Sequence, residues 1–407
     1  MKDLFALSAL LILCSSTSSI AQADGFEGYL STLKEQEFAY DYDKAAAQSS
    51  ILRDSWIQPI MLRYSYKKSN PYDAVQTVQN AAIVLDQPIF QSGGIYFAIK
   101  YAEASRIYSN YSVDVAKRKL IKDVVALLMQ IRKSDLLIEK HHLQIANATI
   151  NLEQKKELYM NGQLDSGFLD NAVIDRNSLT QALYDLETSK EQLISSFKSL
   201  SDLDYTQAKV PHLEWVDEDD FVAHSIDLKK IRSENEKNRY FKNMTIAKYL
   251  PKFSITAGYN WDSLENPSFA GSAIPSPPDT HYYNYGFKVT MPLNINAKKD
   301  IESVRIDYLK SLVVLEDTQR ALVALYHRVA QNLQNYDKKI ALAKENKTLY
   351  EKLLADTRTL FKAGYKTQYD VDLLENSLKI QELDGAVFEM EKQLELLNLY
   401  EKMVNAL

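Results

Sequence analysis

Four segments of the chain alternate between apolar and polar side chains with a period of two. The run over 59–68 has Tyr64 and Tyr66 on its apolar side, and a weaker run covers 75–85. The runs over 251–261 and 282–291 have Tyr259, Trp261 and Tyr283 on theirs. A period of two is typical of strands with one apolar and one polar face. The pattern predicts two β-hairpins, at about 59–88 and about 251–293, with strands of about 9–12 residues.

A long helical pattern follows each predicted hairpin. A series of mostly apolar positions begins at Leu120 and recurs at intervals of 4, 3, 4, 3 and 4 residues. A series with identical intervals begins 202 residues later, at Leu322. This spacing lets one helix pack lengthwise along another. It predicts long helices over about 94–161 and about 295–363, each roughly 100 Å long at 1.5 Å per residue. Second helices are predicted over about 169–201 and about 370–404.

The same parts recur in the same order. At the 202-residue offset, the segment Glu157–Gly162 faces Thr359–Gly364. We interpret the chain as a tandem duplication with a first repeat over 24–210 and a second over 211–407. Each repeat is expected to contain a helix, a hairpin, a long helix and a further helix.

The beginning of the chain has the layout of a secretory signal. Lys2 precedes an apolar run from Leu4 to Cys14, and a small-x-small triplet ends at Ala23. The run is roughly half the ~20 apolar residues that a spanning helix needs. Leu13 stands where a lipoprotein signal requires a small residue before the cysteine. We expect cleavage after Ala23, and a mature, exported chain without cysteine.

Aromatic side chains cluster at the strand ends that face the connecting loops. Amphipathic rings suit a membrane–water interface, and strands of about ten residues can cross a bilayer when tilted. Together with the export signal, these features favour an outer-membrane β-barrel over soluble hairpins covering a helical core. The candidate aromatic girdle comprises Tyr64, Tyr66, Tyr259, Trp261 and Tyr283, with Tyr72 and Tyr282 nearby.

Four strands do not close a membrane barrel, because the smallest have about eight. An open sheet edge in lipid leaves backbone groups without hydrogen-bond partners. The sequence therefore predicts an oligomer in which several chains share one barrel.

Composition and motifs give no support for catalysis. The 407 residues have a net charge of -6, which argues against nucleic-acid binding, and a single cysteine excludes a thiolate metal site. Among the histidines only His141 and His142 are adjacent, and helical neighbours point about 100° apart, so we interpret them as a solvated face. The acidic run Asp217–Asp220 is interpreted as a soluble linker. We expect no enzyme, no cofactor, no metal and no nucleic-acid partner.

With these motifs in this order, the chain resembles the TolC family of outer-membrane efflux proteins. The resemblance covers the whole predicted mature chain and rests on Pro-led junctions between strands and helices, and on paired helical turns. At the second junction the chain has Asn294-Ile295-Asn296 where the family usually has a Phe and a Gly pair. The turn at 165–167 also departs from its counterpart in the second half. The junction residues are Pro88, Gly93, Gly94, Pro292, Pro59 and Pro251.

The resemblance implies a mainly α fold with a membrane β-barrel, assembled as a homotrimer. Three chains would share a twelve-stranded barrel in the outer-membrane lipid and an α-helical barrel in the periplasm. The implied function is the exit duct of a tripartite efflux pump or of a type I secretion system, fed by an inner-membrane RND or ABC transporter. A periplasmic adaptor (membrane fusion protein) would dock at the helical turns, whose residues include Gly162, Gly364, Leu158 and Leu360.

An alternative function is a secreted coiled-coil structural protein or adhesin without channel activity. Such a protein would share the long helices with an exit duct. It would not need the paired alternating strands.

Carboxylates just beyond the helical turns are the candidate gate. Repeated around a three-fold axis they would form rings, and rings of carboxylates favour cations. The resemblance implies that an Asp at the position of Asp370 lines a closed periplasmic aperture. Alternatively, Asp370 caps the returning helix, since Asp suits a helix N-terminus, and both roles are compatible. The candidates are Asp370, Asp372, Asp165 and Asp170, the first half having Phe168 at the position that matches Asp370.

Overall fold

The computed structural model describes residues 26–70, 75–269 and 272–404 of the chain. The leader expected over 1–23 and Tyr72 therefore lie outside the described residues. The first half begins with a 3-10 turn at Phe26–Tyr29 and continues through five longer elements. These are α1 (Thr32–Asp54), β1 (Met61–Ser69), β2 (Gln76–Phe90), α2 (Gly94–Met160) and α3 (Ser166–Leu200).

The second half has the same order of main elements and adds three short ones. Asp217 caps the first of these, so the acidic run begins a short helix instead of a linker. The elements are α4 (Glu218–Ala223), α5 (Ile226–Lys248), β3 (Lys252–Glu265), β4 (Ser268–Phe269), β5 (Ser272–Ala273), β6 (Thr280–Thr290), α6 (Ala297–Lys362) and α7 (Gln368–Tyr400).

The four longer strands form one antiparallel sheet in the order β1-β2-β3-β6. Each hairpin pairs within itself, and β2 pairs with β3, so the two halves of the chain join at the centre of the sheet. The central strands have 15 and 14 residues and extend beyond the expected lengths, whereas the edge strands have 9 and 11. The outer edges of β1 and β6 have no partner strand among the described residues.

The core lies midway along the long helices. These helices have 67 and 66 residues, which makes each about 100 Å long. Val124, Ile131 and Val329 from the two predicted seams are fully buried there. Both α3 and α7 pack against α2, α7 also packs against α6, and Phe197 and Leu397 complete the cluster. The seam therefore faces inward in both long helices.

The second helix of each half begins earlier than expected because a side chain caps it. Asp165 accepts a hydrogen bond from the backbone N–H of Gly167, and α3 begins at 166 instead of about 169. Thr367 accepts one from the N–H of Asp370, and α7 begins at 368. Both caps satisfy N–H groups that a helix start leaves unpaired. None of the described helices has an apolar stretch long enough to cross a membrane.

Candidate functional site

The sheet has one apolar and one polar face. Residues that pair directly across neighbouring strands share a face, and the register places Leu62, Ile83, Tyr259 and Tyr283 in one row. One residue along each strand, the row changes to the other face and comprises Met61, Val84, Gly258 and Asn284. The predicted alternation thus holds in register across all four strands.

The apolar face is uncovered. Leu62 is 76% exposed, Tyr283 75% and Phe287 84%. A continuous exposed apolar surface of this kind marks contact with an apolar phase or with a partner. No helix of the described residues has more than marginal contact with the sheet. In this part of the chain, the hairpins therefore do not cover a helical core.

All five predicted girdle residues lie on the apolar face, in three adjacent rows. The rows of Tyr66 and of Tyr64 with Trp261 lie toward the connecting loops, whereas the row of Tyr259 and Tyr283 lies at the middle of the sheet. The two in the row of Tyr64 have hydrogen-bond partners: the Tyr64 hydroxyl donates to Gln79 Oε1 at 3.1 Å, and Trp261 Nε1–H donates to Asp279 at 3.2 Å. Tyr282 pairs with Asn260 on the polar face and is not part of this girdle. A one-residue step along a strand changes the face.

The first junction between sheet and helix depends on backbone geometry that glycine provides. Gly93 has a φ of 85° at the N-cap of α2, a left-handed conformation that residues with a Cβ rarely adopt. A Cβ on Gly94 would lie 3.3 Å from the Ala247 Cβ, so α2 approaches α5 closely here. Ser92 Oγ donates to the carbonyl of Pro251 at 2.8 Å, which fixes this junction to the start of β3. Pro88 ends regular pairing, since the register shifts between 88 and 90.

The second junction uses asparagine where the first uses glycine. The backbone N–H of Asn296 donates to Asn294 Oδ1 at 2.8 Å, and the N–H of Ala297 donates to the Asn294 carbonyl at 3.1 Å. An Asx turn of this kind starts α6 without a positive φ. Pro292 precedes this turn and is exposed, as is Pro59 before β1.

At the far end of the long helices, two helical turns have the same backbone geometry. Gly162 and Gly364 have φ angles of 70° and 80°, and each donates its N–H to the carbonyl three residues earlier. The backbone N–H of the next residue also donates in each turn, from Gln163 to the Leu158 carbonyl and from Tyr365 to the Leu360 carbonyl, both at 2.9 Å. This is the Schellman motif, which ends a helix at a left-handed glycine. The segment at 165–167 also matches its counterpart at 367–369, since each begins with the residue that caps the next helix. That residue is Asp165 in the first half and Thr367 in the second.

Both turns expose apolar side chains. Leu158 is 41% exposed and Leu360 42%, while Met160 and Tyr365 reach 76% and 80%. Neither tip is covered by another element of the described chain. Apolar side chains grouped at an exposed turn favour contact with a partner.

The predicted gate carboxylates have local partners at these turns. Asp370 accepts hydrogen bonds from the N–H and the hydroxyl of Thr367, both at 2.9 Å, and so completes a capping box. The Thr367 N–H, with Lys366 at 3.5 Å, holds the pKa of Asp370 below its usual value. Asp372 accepts from Gln368 Nε2 at 2.7 Å. Asp165 caps α3, and Asp170 is exposed.

Several contacts of these sites have no signal in the sequence. Tyr369 OH donates to Glu157 Oε1 at 3.1 Å and joins the two tips. Gln87 accepts from the N–H of Gln58 at 3.0 Å and ties β2 to the segment before β1. Lys288 and Asp86 form an ion pair across β3 on the polar face. The sequence pattern predicts the helix or strand on which each of these residues lies. It does not predict which residue each one contacts.

The paired histidines do not form a solvated face. His141 is half-buried, and burial, with Lys140 and His142 nearby, lowers the pKa of its imidazole. His142 is exposed. Within the described residues, no three His, Cys, Asp or Glu side chains come together as a metal-ligand set.

Solved structures with the same fold include outer-membrane proteins and outer-membrane channels. The outer membrane protein VceC from Vibrio cholerae is 14% identical, with a TM-score of 0.71 over 93% of this chain and 95% of that chain. The Campylobacter jejuni CmeC outer membrane channel is 12% identical, with a TM-score of 0.71 over 92% and 84%. The open state of the Neisseria gonorrhoeae MtrE outer membrane channel is 13% identical, with a TM-score of 0.62 over 92% and 86%.

No protein-family model matches the sequence, and no curated protein matches it by sequence. The likeness therefore concerns the fold, which the chain shares with these three outer-membrane proteins over more than nine-tenths of its length. The shared fold consists of long helices joined to a four-stranded antiparallel sheet, and it confirms the predicted resemblance.

Proposed function

We propose that the chain is an outer-membrane channel that forms the exit duct of a tripartite efflux pump or a type I secretion system. The observation that carries this proposal is the sheet with one exposed apolar face, continuous with helices about 100 Å long. Its strands of 9 to 15 residues meet the ~9–11 residues that a tilted strand needs to cross a bilayer. The structural likeness to outer-membrane channels agrees with it.

The sheet needs further copies of the chain to close. β1 and β6 are the edge strands, and an unpaired edge is not tolerated in lipid. If β1 of each copy pairs with β6 of the next, three copies give a twelve-stranded barrel, above the minimum of about eight strands. A homotrimer would turn the apolar faces to lipid and enclose a lumen lined by the polar faces.

The rest of the assembly follows from the direction of the helices. With the leader removed after Ala23, the sheet would lie in the outer membrane and the tips about 100 Å away in the periplasm. The exposed apolar residues around Leu158 and Leu360 would meet a periplasmic adaptor, which connects the duct to an RND or ABC transporter. The two halves would derive from a tandem duplication over 24–210 and 211–407.

The carboxylates at the tips are proposed to narrow the duct. Asp370 and Asp372 would be repeated in each copy around the axis, with Asp165 and Asp170 on the neighbouring tip. Like charges brought together resist joint ionisation and attract a cation or a basic partner. Asp370 would then act both as a helix cap and as part of an aperture.

Disulfide cross-linking tests the shared barrel. The only cysteine, Cys14, lies in the expected leader, so introduced cysteines would be the only thiols of the mature chain. Ser65→Cys on β1 is combined in turn with cysteine at Tyr282, Asn284 and Gly286, which share its polar face on β6. One combination should give covalent dimers and trimers in the outer-membrane fraction.

Pairing Ser65→Cys with Tyr285→Cys is the matched control, because Tyr285 lies on the apolar face and its thiol would point away. A soluble monomer without cross-links, or a secreted fibre, would reject the channel and support the coiled-coil alternative. Planar-bilayer conductance of the purified oligomer tests the duct directly.

A further inference from the structure

The polar face of the sheet has more positive than negative side chains. Eight charged residues lie on β1, β2, β3 and β6, and the register places six of them on the polar face. The other two, Lys68 and Glu265, lie in the last apolar-face row, beside Thr77 at the loop end. The six are Arg63, Lys67, Asp86, Lys252, Asp262 and Lys288.

Both acidic groups of that face are engaged. Asp86 forms an ion pair with Lys288, which cancels one charge of each sign. Asp262 accepts a hydrogen bond from Asn80 Nδ2, a neutral donor that adds no charge to the face. Arg63, Lys67 and Lys252 form no ion pair within the described part of the chain, so each chain has a net excess of two positive charges on this face.

Two of these cationic side chains, Arg63 and Lys67, lie close to each other on the polar face of β1. Arg63 and Lys67 are both exposed and lie four residues apart on β1, about 13 Å at 3.3 Å per residue. Arg63 shares a row with Asn260, and Lys67 shares one with Leu264, so neither faces a carboxylate in its own row. They therefore form a basic stripe along one strand.

We propose that this stripe makes the barrel section of the duct attract anions, and that the exported substrates include anionic molecules. The inference rests on the proposed function, because the polar face lines a lumen only when the sheet closes. Three copies would bring the excess charge of three chains into one narrow passage. Charge of one sign between low-dielectric walls concentrates counter-ions, and rings of basic side chains favour anions.

The barrel section is electrically separate from the tips. About 100 Å of helix lies between the sheet and the carboxylates near Asp370, whereas the Debye length is ~10 Å at 0.1 M salt. The duct would then bind cations at the tip end and anions at the barrel end. Block by polyvalent ions should accordingly depend on the sign of the ion and on the side of addition.

The experiment measures block of single channels by hexacyanoferrate(II), added to one side of a planar bilayer at a time. Wild-type channels should be blocked from one side only. Combining Arg63→Gln with Lys67→Gln should raise the half-blocking concentration by about tenfold, because two of the excess charges near the ion are removed. The charge-conserving pair Arg63→Lys and Lys67→Arg should keep wild-type block.

Lys68→Gln is the matched control, since it removes the same charge one residue away on the opposite face. Unchanged block in the double variant, or an equal change in Lys68→Gln, would overturn the proposal. Cations on an edge strand also discourage pairing with wrong chains. If the double variant aggregates while the channels that do form keep wild-type block, edge protection is their role and the proposal fails.

Failure of the inference differs from failure of the proposed function. Wild-type protein that gives no current would reject the duct itself, and the inference with it. Wild-type protein that conducts without sided anion block rejects the anion preference alone. If the double variant does not assemble, each single variant should raise the half-blocking concentration by about threefold, and wild-type values in both would overturn the proposal.

Discussion

The Tyr369 hydroxyl donates a hydrogen bond of 3.1 Å to Glu157, joining the first turn of α7 to the last turn of α2. The two residues belong to different halves of the chain, and the bond raises the pKa of Tyr369 because the neutral phenol is the donor. Both lie next to the tips, where the long helices reverse direction. A movement of the α6–α7 pair away from α2 must break this contact.

In the proposed duct, removing the bond should make the tip end easier to open. Tyr369→Phe keeps the ring and removes only the donor, so its single-channel conductance or open time should increase in planar bilayers. Tyr365→Phe is the matched control, because Tyr365 is 80% exposed on the same tip. Equal conductance in wild type and Tyr369→Phe would show that the contact does not restrain the tip.

The capping role of Asp370 and its proposed role in the aperture can be separated by substitution. Asp370→Ala removes both the charge and the reciprocal cap, and should raise conductance and weaken block by trivalent cations. Thr367→Ala keeps the carboxylate and removes the hydroxyl cap, at a cost of about 1 kcal/mol in helix stability. It should therefore leave cation block unchanged. If the two variants behave alike in the bilayer, Asp370 acts only as a cap.

The stability of the second tip should depend on acid pH. The folded-state pKa of Asp370 is depressed by the Thr367 N–H, so its ionised form stabilises the fold. The contribution is complete above the unfolded carboxyl pKa of about 3.9 and is lost as pH falls through the lower folded value. Hydrogen exchange in the first turn of α7, corrected for intrinsic rates, should accelerate below about pH 4.

Asp370→Asn is the control for this pH dependence. The amide does not titrate, so the same amides should exchange at a corrected rate that acid does not change. Acceleration of equal size in the variant would assign the effect to another group.

The sequence predicts the helices, the strands and their buried or apolar faces well in this chain. The reason is that the helical spacing and the strand alternation each repeat many times. The seam residues Val124 and Val329 recur over many helical turns, and the alternation around Tyr259 persists along a whole strand. Periodicity does not say which strand neighbours which, so the central β2–β3 pairing was not predicted. It also gave the starts of α3 and α7 too late, because a single capping residue fixes each start.

The candidate site was predicted less completely than the fold. Gly162 and Gly364 could be identified as breaks in the helical pattern, and both have positive φ. The pairs Tyr369–Glu157 and Lys288–Asp86 could not, since each joins residues about 200 positions apart in the chain through one contact. Asp86 and Lys288 are separated by the 202-residue repeat offset, but that offset identifies equivalent positions in the two halves and does not by itself indicate contact. Glu157 and Tyr369 are 212 positions apart and are not equivalent.

Neighbouring positions on β2 offer the sharpest test of which face meets lipid. Ile83 lies on the apolar face beside Leu62 and Tyr259, and is 48% exposed. Val84 lies on the polar face, in a row with Met61 and Gly258. A lysine facing the middle of a bilayer costs about 2–4 kcal/mol, whereas a lysine in a water-filled lumen keeps its hydration. Ile83→Lys should therefore sharply reduce the yield of heat-resistant oligomer from outer membranes, and Val84→Lys should assemble at close to wild-type yield. Equal loss in both variants would mean that the sheet packs against protein on both faces, and equal tolerance would mean that the apolar face never meets lipid.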